Sequence, residues 1–461
     1  MKNNDATVRL FEKAPVMQAI AKLALPTVLG QMILVIYNMA DTFFVGMTGR
    51  DEMLTAVTVC MPVYMVLSAI ANLFGVGGAS SISRSLGMKD EDRAREASSF
   101  AFWGCMLLTA FYSLLVYLLV SPILMTFGGA DERVYGLAKD YLIVTVVIGG
   151  LPTALNSFLA HLLRAEGKAL HASFGVALGG VMNIVLDPLF MFALLPEGNE
   201  VLGAAIATTL SNLIAVLYYA VVLFRRRKKT VLCFGWPKAL HGDLVRDVML
   251  TGLPACAMTV MENLSYALME SLIAAYGLAA QTGLGVAKKI NMLAHCVTRG
   301  MTQGVLPLIG YNYSAKNYRR MRSVLFSSAA LSVLAALLLM LLNIHFGNFF
   351  VGIFIRSESD ALAEGVKYLT VLCIGGPFSA FAYTVISYFQ AVGQSARSFV
   401  LALLRKGITD IPLMYLMNLL LRELGVVLAT PIADALCCLV SVLLITRFLK
   451  KLEQPAAARS C

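Results

Sequence analysis

Charge is what this chain has little of. Only 14% of its 461 residues are Asp, Glu, Lys or Arg and 59% are hydrophobic, where a soluble domain carries about 25% charged and about 45–50% apolar residues. That balance excludes an ordinary soluble fold. No Gly-x-x-x-x-Gly-Lys-Ser/Thr motif occurs, and the longest polar connection, Arg225 to Arg246, is too short to house a nucleotide-binding domain, so direct use of ATP by this chain is not expected and energy is expected from ion gradients. The five histidines, at 161, 171, 241, 295 and 345, have no metal-ligand spacing. With no constellation of nucleophile, base and acid either, neither an enzyme nor a cofactor is expected. Nine cysteines lie mostly inside apolar segments, as with Cys60, Cys105, Cys256, Cys296, Cys373, Cys437 and Cys438, where a small apolar side chain packs helices, and no disulfide framework is expected. The segment Met1 to Pro15 is polar and of mixed charge, and the first apolar run carries Pro26 and Asp41 without a small-residue cleavage site behind it, so it reads as a retained helix rather than a signal peptide.

What is abundant is apolar sequence in membrane-length runs. A helix crosses a bilayer with roughly 20 residues, and runs of that kind fall at 16–46, 54–82, 97–125, 137–162, 170–195, 202–224, 247–276, 282–310, 323–350, 366–390, 398–421 and 424–449. The expectation is an all-α integral membrane protein with twelve transmembrane helices. Lys and Arg are retained on the cytoplasmic side. With the N-terminus inside, 26 basic residues fall on inner segments and six outside, Arg50, Arg133, Lys139, Arg356, Lys367 and Arg422. Both termini are therefore expected in the cytoplasm. The net charge of +10 is a topology signal with some attraction to anionic lipid headgroups, not a nucleic-acid footprint.

The chain also contains itself twice. Leu202-Gly-Ala-Ala-Ile-Ala-Thr208 returns as Leu424-Gly-Val-Val-Leu-Ala-Thr430, each copy running to a basic end at Lys228-Lys229 and Lys450-Lys451. Gly77 through Lys89 and Arg93 match Gly304 through Lys316 and Arg320, and Ala165-Glu-Gly167 matches Ala391-Val-Gly393. Two pseudo-symmetric halves of six helices follow: residues 1–229, a cytoplasmic linker at 230–246, and residues 247–461. Halves of this kind enclose a cleft and rock to alternate its access, so the repeat points to a carrier. Pro26 and Pro254 occupy matching places in the first helix of each half. A membrane proline either kinks its helix permanently or lets it switch between bent and straight. Gly75, Gly77, Gly78, Gly175, Gly179 and Gly180 read as close helix contacts.

Acids inside membrane helices cost on the order of 3 kcal/mol and are usually functional. In the first half Asp41 follows Asn38 by three residues and Asp187 follows Asn183 by four, so each acid has an amide on its own helical face. If the two faces meet, the carboxylates cannot both stay ionised without H⁺ or Na⁺, and Asn156 with Thr208 or Thr209 can add the neutral oxygens that hard cations prefer. The alternative is that each acid caps or staples a helix near the outer interface. In the second half, Glu262 and Glu270 lie about 80° apart around their helix. Glu262 is placed to face a central cavity, and Glu270 is the nearer repeat counterpart of Asp41; pairing of either with Lys288, Lys289 or Arg299 is the structural alternative. Arg405 and Lys406 with Asp410 make a further internal group. The 23 methionines and 24 phenylalanines can line a pliable pocket for bulky cations or serve as core and lipid-facing bulk.

Ala24-Leu-Pro26, then Tyr37-Asn38-Met-Ala-Asp41-Thr-Phe-Phe-Val-Gly46, then Asn183-Ile-Val-Leu-Asp187-Pro188, and Tyr388-Phe-Gln390-Ala-Val-Gly393 leading to Leu404-Arg405 together resemble the multidrug and toxic compound extrusion (MATE) family, bacterial MepA-like branch. The resemblance spans about residues 15 to 450. It implies two six-helix lobes around a V-shaped central cleft, location in the bacterial inner membrane, and export of amphipathic organic cations and other toxic compounds in exchange for H⁺ or Na⁺. Residue by residue, Asp41 and Asp187 match the first-lobe acidic pair, Asn156, Asn183 and a helix-six threonine match its polar partners, and Glu262 falls where some members carry a second-lobe acid. Helix ten, Lys367 to Gln390, has no acid where those members place another carboxylate, so the resemblance favours coupling in the first lobe. The partners expected are small amphipathic molecules and the bilayer, with the chain acting as a monomer. A flippase for lipid-linked saccharides would also have a repeat and a cleft, but with a more basic cavity; a channel or a non-transporting receptor is the other reading.

Overall fold

The structure, a computed structural model, describes residues 7–127, 131–237, 241–355 and 360–453; Arg356 and the linker residues 238–240 lie outside that set. The described residues are helical, with no strand. A short wide-wound turn, Arg9–Lys13, precedes α1 (Val16–Met47), α2 (Asp51–Gly87) and α3 (Glu91–Leu118). α4 is built from Glu132–Leu142, the π-helical Ile143–Ile148 and Gly150–Ala165. α5 (Ala169–Pro188, with its continuation Leu189–Leu194) and α6 (Glu200–Arg225) complete the first bundle. The second comprises α7 (Gly242–Ala274), α8 (Leu278–Ser314), α9 (Tyr318–His345) and α10 (Asp360–Ile374 with Gly376–Ala391). α11 opens at Ser395–Leu403, and a helical run, Asp410–Glu453, carries its end. Arg422 interrupts that run with φ 55° and ψ −139°, and we number the part beyond it α12.

Among the described residues, eight helices can cross a membrane by length and composition alone, or ten if each bent pair is one span. The other two come from α8, whose Lys288, Lys289 and Arg299 dilute its apolar character, and from dividing the long final run at Arg422. α7 starts at Gly242, inside the stretch expected to be linker, because that polar turn is held by ion pairs to the first bundle: Arg84 Nη2 lies 2.9 Å from Asp247 Oδ2 and Arg93 Nη2 2.9 Å from Asp243 Oδ2.

The repeat extends to the backbone. α2 and α8 both have 37 residues, α3 and α9 both 28, and Gly150–Ala165 and Gly376–Ala391 both 16. Lys89 and Lys316 both adopt positive φ, 61° and 58°, after which the side chains of Asp90 and Asn317 accept the backbone N–H of Arg93 and Arg320 as helix caps. Gly167 and Gly393 both sit at φ 75°. The bends have the same symmetry: α4 turns by 49° at Gly149 and α10 by 43° at Gly375. Pro26 and Pro254, by contrast, lie inside uninterrupted helices.

Crossed contacts join the bundles, α1 to α8 and α2 to α7. They require glycine. A Cβ on Gly252 would fall 1.7 Å from the Leu73 carbonyl oxygen, one on Gly77 2.2 Å from that of Val248, and one on Gly304 2.7 Å from Ala24 Cα. Around this crossing Ser80 Oγ donates to the Gln390 carbonyl (2.6 Å), Tyr311 OH to Glu12 (2.7 Å) and Arg320 Nε to the Phe11 carbonyl (2.6 Å). These contacts occupy the helix halves nearer the basic loops, so the V-shaped cleft is closed on that side. Gly252→Leu is expected to lower stability by at least about 1–3 kcal/mol, read as thermal unfolding in detergent, whereas Gly242→Leu, with nothing within 4 Å of its Cβ, should be neutral.

The connection between the bundles is docked on the first. Val231 and Leu232 are buried. Glu166 accepts from Thr230 Oγ1 and Val231 N, both at 2.7 Å, and Trp103 Nε1 donates to the Gly235 carbonyl at 3.1 Å. Phe102 meets Phe234 and Trp103 meets Trp236, with ring centroids 4.9 and 5.0 Å apart.

Candidate coupling site and central cavity

α1 and α5 run side by side. A Cβ on Gly30 would touch Ser173 at 3.2 Å, and one on Gly180 would touch Ile33 and Tyr37 at 3.0 and 3.2 Å. One turn beyond that contact lie Asp41 on α1 and Asn183 on α5, with Asp187 a turn further on. The two carboxylates are within electrostatic reach of each other, and Tyr37 is within reach of both. Asp187 and Asn183 are buried, 0% and 1% exposed; Asn183 Nδ2 donates to Asp187 Oδ1 (3.1 Å) and reaches Thr208 Oγ1 (3.4 Å). Asn156 Nδ2 donates to Asn212 Oδ1 at 2.8 Å, and Asn38 Nδ2 to its own helix at the Leu34 carbonyl, 2.8 Å.

What these bonds leave over defines the chemistry. Asp41 Oδ1, Asp187 Oδ2, Asn183 Oδ1 and Asn156 Oδ1 are all buried without a hydrogen-bond partner. Unsatisfied buried acceptors of this kind are costly, and four hard oxygens in one bundle suit a proton or a small hard cation. The two threonines separate in role. Thr208 faces the acids through Asn183, while Thr209 Oγ1 donates to the Val144 carbonyl (3.0 Å) at the α4 break. There Gly149 is needed, since its Cβ would fall 2.4 Å from Thr209 Oγ1. Across the cleft, Lys289 of α8 is within electrostatic reach of Asp41.

In the second bundle the acids are already paired. Arg299 Nη2 is 2.5 Å from Glu262 Oε2, and Tyr383 OH donates to both Glu262 oxygens at 3.3–3.4 Å; Glu270 pairs with Lys288. Glu262 does line the cavity between the bundles. Lys406 Nζ pairs with Asp410 Oδ2 (3.1 Å), which also accepts from Ser265 Oγ, while Asp410 Oδ1 accepts from Thr430 Oγ1. Arg405 instead pairs with Asp434 of α12 (2.8 Å), and its guanidinium lies 4.1 Å from the Tyr383 ring centroid. The sequence signals Asp434 only as a lone acid in the last apolar run.

Twelve membrane helices in two like bundles, a polar cavity between them and an unsatisfied acid pair in one define a carrier. The chain belongs to the MatE family, whose model matches it twice, over residues 26–189 and 254–416, each match opening on a first-helix proline. Among curated relatives, Multidrug export protein MepA of Staphylococcus aureus (strain MSSA476) is 28% identical over 442 residues, 96% of each chain. That of Staphylococcus saprophyticus is 26% identical over 444 residues, again 96% of each. Among solved structures, a MATE in complex with MaL6 superimposes with TM-score 0.89 at 25% identity, over 97% of this chain and 99% of that one. An outward-facing multidrug resistance MATE family transporter of the MOP superfamily matches with the same TM-score and coverage at 24% identity.

Proposed function

We propose that the protein is a secondary active multidrug efflux transporter that exports amphipathic organic cations and other toxic compounds by antiport with H⁺ or Na⁺. The observation that carries the coupling reading is the set of four unpartnered oxygens around Asp41 and Asp187, with Asn156, Asn183 and Thr208 as neutral neighbours; the paired state of Glu262 and Glu270 supports coupling in the first bundle. Residues 1–229 and 247–461 act as the two lobes, with the intervening segment as linker and Pro26 and Pro254 as hinges. Cation binding at the acids bends α1 at Pro26 and reshapes the first-lobe pocket, so that drug and cation displace each other. The bias of basic residues supports cytoplasmic termini in a bacterial inner membrane. The closed side then faces the cytoplasm and the state is outward-facing. The chain acts as a monomer.

One charge moving through 100 mV supplies about 2.3 kcal/mol, roughly fifty-fold accumulation of a neutral substrate. The test is efflux of a fluorescent organic cation from proteoliposomes under an imposed pH gradient or an imposed Na⁺ gradient. Efflux under one of them names the coupling ion; none under either overturns antiport and puts a flippase first.

A further inference from the structure

The second bundle repeats the acid site of the first with one exchange. In the first, Asp187 follows Asn183 by four residues on α5, and Thr208 of α6 faces them. In the second, Asp410 follows Lys406 by four on α11. Thr430 holds the place of Thr208 in the repeated Leu-Gly-x-x-x-Ala-Thr phrase, and its hydroxyl donates to Asp410 Oδ1 at 3.0 Å. Asp410 lies three residues nearer to Gly393 than Asp187 does to Gly167, less than one helical turn. The amide of one bundle is thus an ammonium in the other.

That exchange accounts for what each acid lacks. Asp41 Oδ1 and Asp187 Oδ2 are buried without a partner. Both oxygens of Asp410 are engaged, Oδ2 by Lys406 Nζ at 3.1 Å and Ser265 Oγ at 2.6 Å, Oδ1 by Thr430. Glu270, the nearer repeat counterpart of Asp41, is met by Lys288. The other charges facing the pair are matched among themselves: Arg405 of α11 with Asp434 of α12, and Glu262 of α7 with Arg299 of α8. Tyr266 of α7 sets its ring 5.0 Å from Lys406 Nζ, and Tyr383 of α10 and His295 of α8 complete the surroundings. Lys406 is 1% exposed and Asp410 0%, so the ammonium is out of water and its charge serves this carboxylate. An ion pair in that setting is costly, and apolar residues of the same volume often pack as well.

We propose that the Lys406 ammonium is a tethered cation that fills a latent monovalent-cation site of the second bundle, formed by Asp410, Ser265 and Thr430, so that the first bundle alone exchanges ions. The proposal rests on the reading of Asp41 and Asp187 as the coupling acids. Removing the tether leaves a carboxylate and two hydroxyl oxygens, a hard donor set for Na⁺, or a carboxyl that takes a proton instead.

The test is thermal unfolding of the full-length protein in detergent, with Asp41→Asn and Asp187→Asn introduced first so that no acid of the first site contributes. Adding Lys406→Gln is expected to create a cation response of about 1–3 °C that the parent variant lacks. A rise on replacing choline chloride by NaCl at constant ionic strength names Na⁺. A rise as the pH falls, with no effect of Na⁺, names the proton, because a carboxyl protonated only in the folded state stabilises it at low pH and ceases to as pH rises. Either response must vanish on adding Asp410→Asn. No gain of response, or a gain that survives Asp410→Asn, overturns the proposal, and a loss of stability alone shows the pair to be structural. If the Lys406→Gln variant does not purify as a monodisperse protein, Asn183→Lys in the otherwise wild-type chain decides. It sets an ammonium beside Asp187 and should abolish the response of the first site; a retained response overturns the tethered cation. Wild type measured alongside keeps the readings apart. No response of wild type to either ion sinks coupling at Asp41 and Asp187, whereas a responsive wild type beside an unresponsive Lys406→Gln variant sinks only the latent site.

Discussion

Asp41→Asn is expected to bring gradient-driven efflux down to the level of empty proteoliposomes while leaving the protein folded and in the membrane. Asparagine keeps the shape of the side chain and removes the charge that a proton or Na⁺ would balance. Asp41 Oδ1 has no hydrogen-bond partner to lose, so stability should be unchanged or higher, because a carboxylate in a membrane helix costs on the order of 3 kcal/mol. Asp187→Asn should behave likewise. That dissociation separates the two readings of these acids. A residue that merely caps or staples its helix would lose stability on substitution and keep transport; efflux at the wild-type rate with a lowered unfolding temperature would remove Asp41 from the coupling site.

The second large effect is on stability, in the other bundle. Asp434→Leu should destabilise the protein by about 3–5 kcal/mol, the cost of breaking a buried ion pair from one side. Arg405 is 1% exposed and Asp434 2% exposed. The guanidinium already has one unpartnered nitrogen, Nη1, so loss of the carboxylate leaves it with the Ser379 hydroxyl at 2.9 Å and the face of Tyr383. Adding Arg405→Met to Asp434→Leu should recover most of the loss, since an apolar pair of similar volume is often neutral. The measurement is denaturation of the single and double variants in detergent. A double variant no more stable than the single would show that the pair is not a closed unit.

Much of this architecture is legible in the sequence because lipid imposes it: apolar runs must be helices, and a repeat at constant offset must recur in three dimensions. Local backbone geometry and long-range pairing are not legible there. The two breaks lie at Gly149-Gly150-Leu-Pro152 and Gly375-Gly376-Pro377, matched Gly-Gly pairs followed by proline. Pro26 and Pro254 are the louder signal, each a proline within an apolar run, yet both lie inside uninterrupted helices. Thr208 and Thr209 are adjacent and chemically alike, and only the α4 break, where the Val144 carbonyl accepts both the Gly149 N–H and the Thr209 hydroxyl, decides which of them turns toward Asn183. Arg164 reads in the sequence as one of the loop basics that set topology, and nothing in the chain marks it as buried. The pairing of Arg405 with Asp434 joins residues 29 apart through the reversal between α11 and α12, a closeness that no periodicity encodes.

The edge-on contact of Trp103 with Trp236 has a practical side. The chain has two tryptophans, and with their rings 5.0 Å apart both report from one spot, where the inter-bundle connection lies on α3. Intrinsic ultraviolet emission of this protein is therefore a single-site optical signal. A shift on adding drug or ion would mark movement of that strap, relayed from the cavity or the acid pair, and emission that stays silent would leave binding at either place undetected.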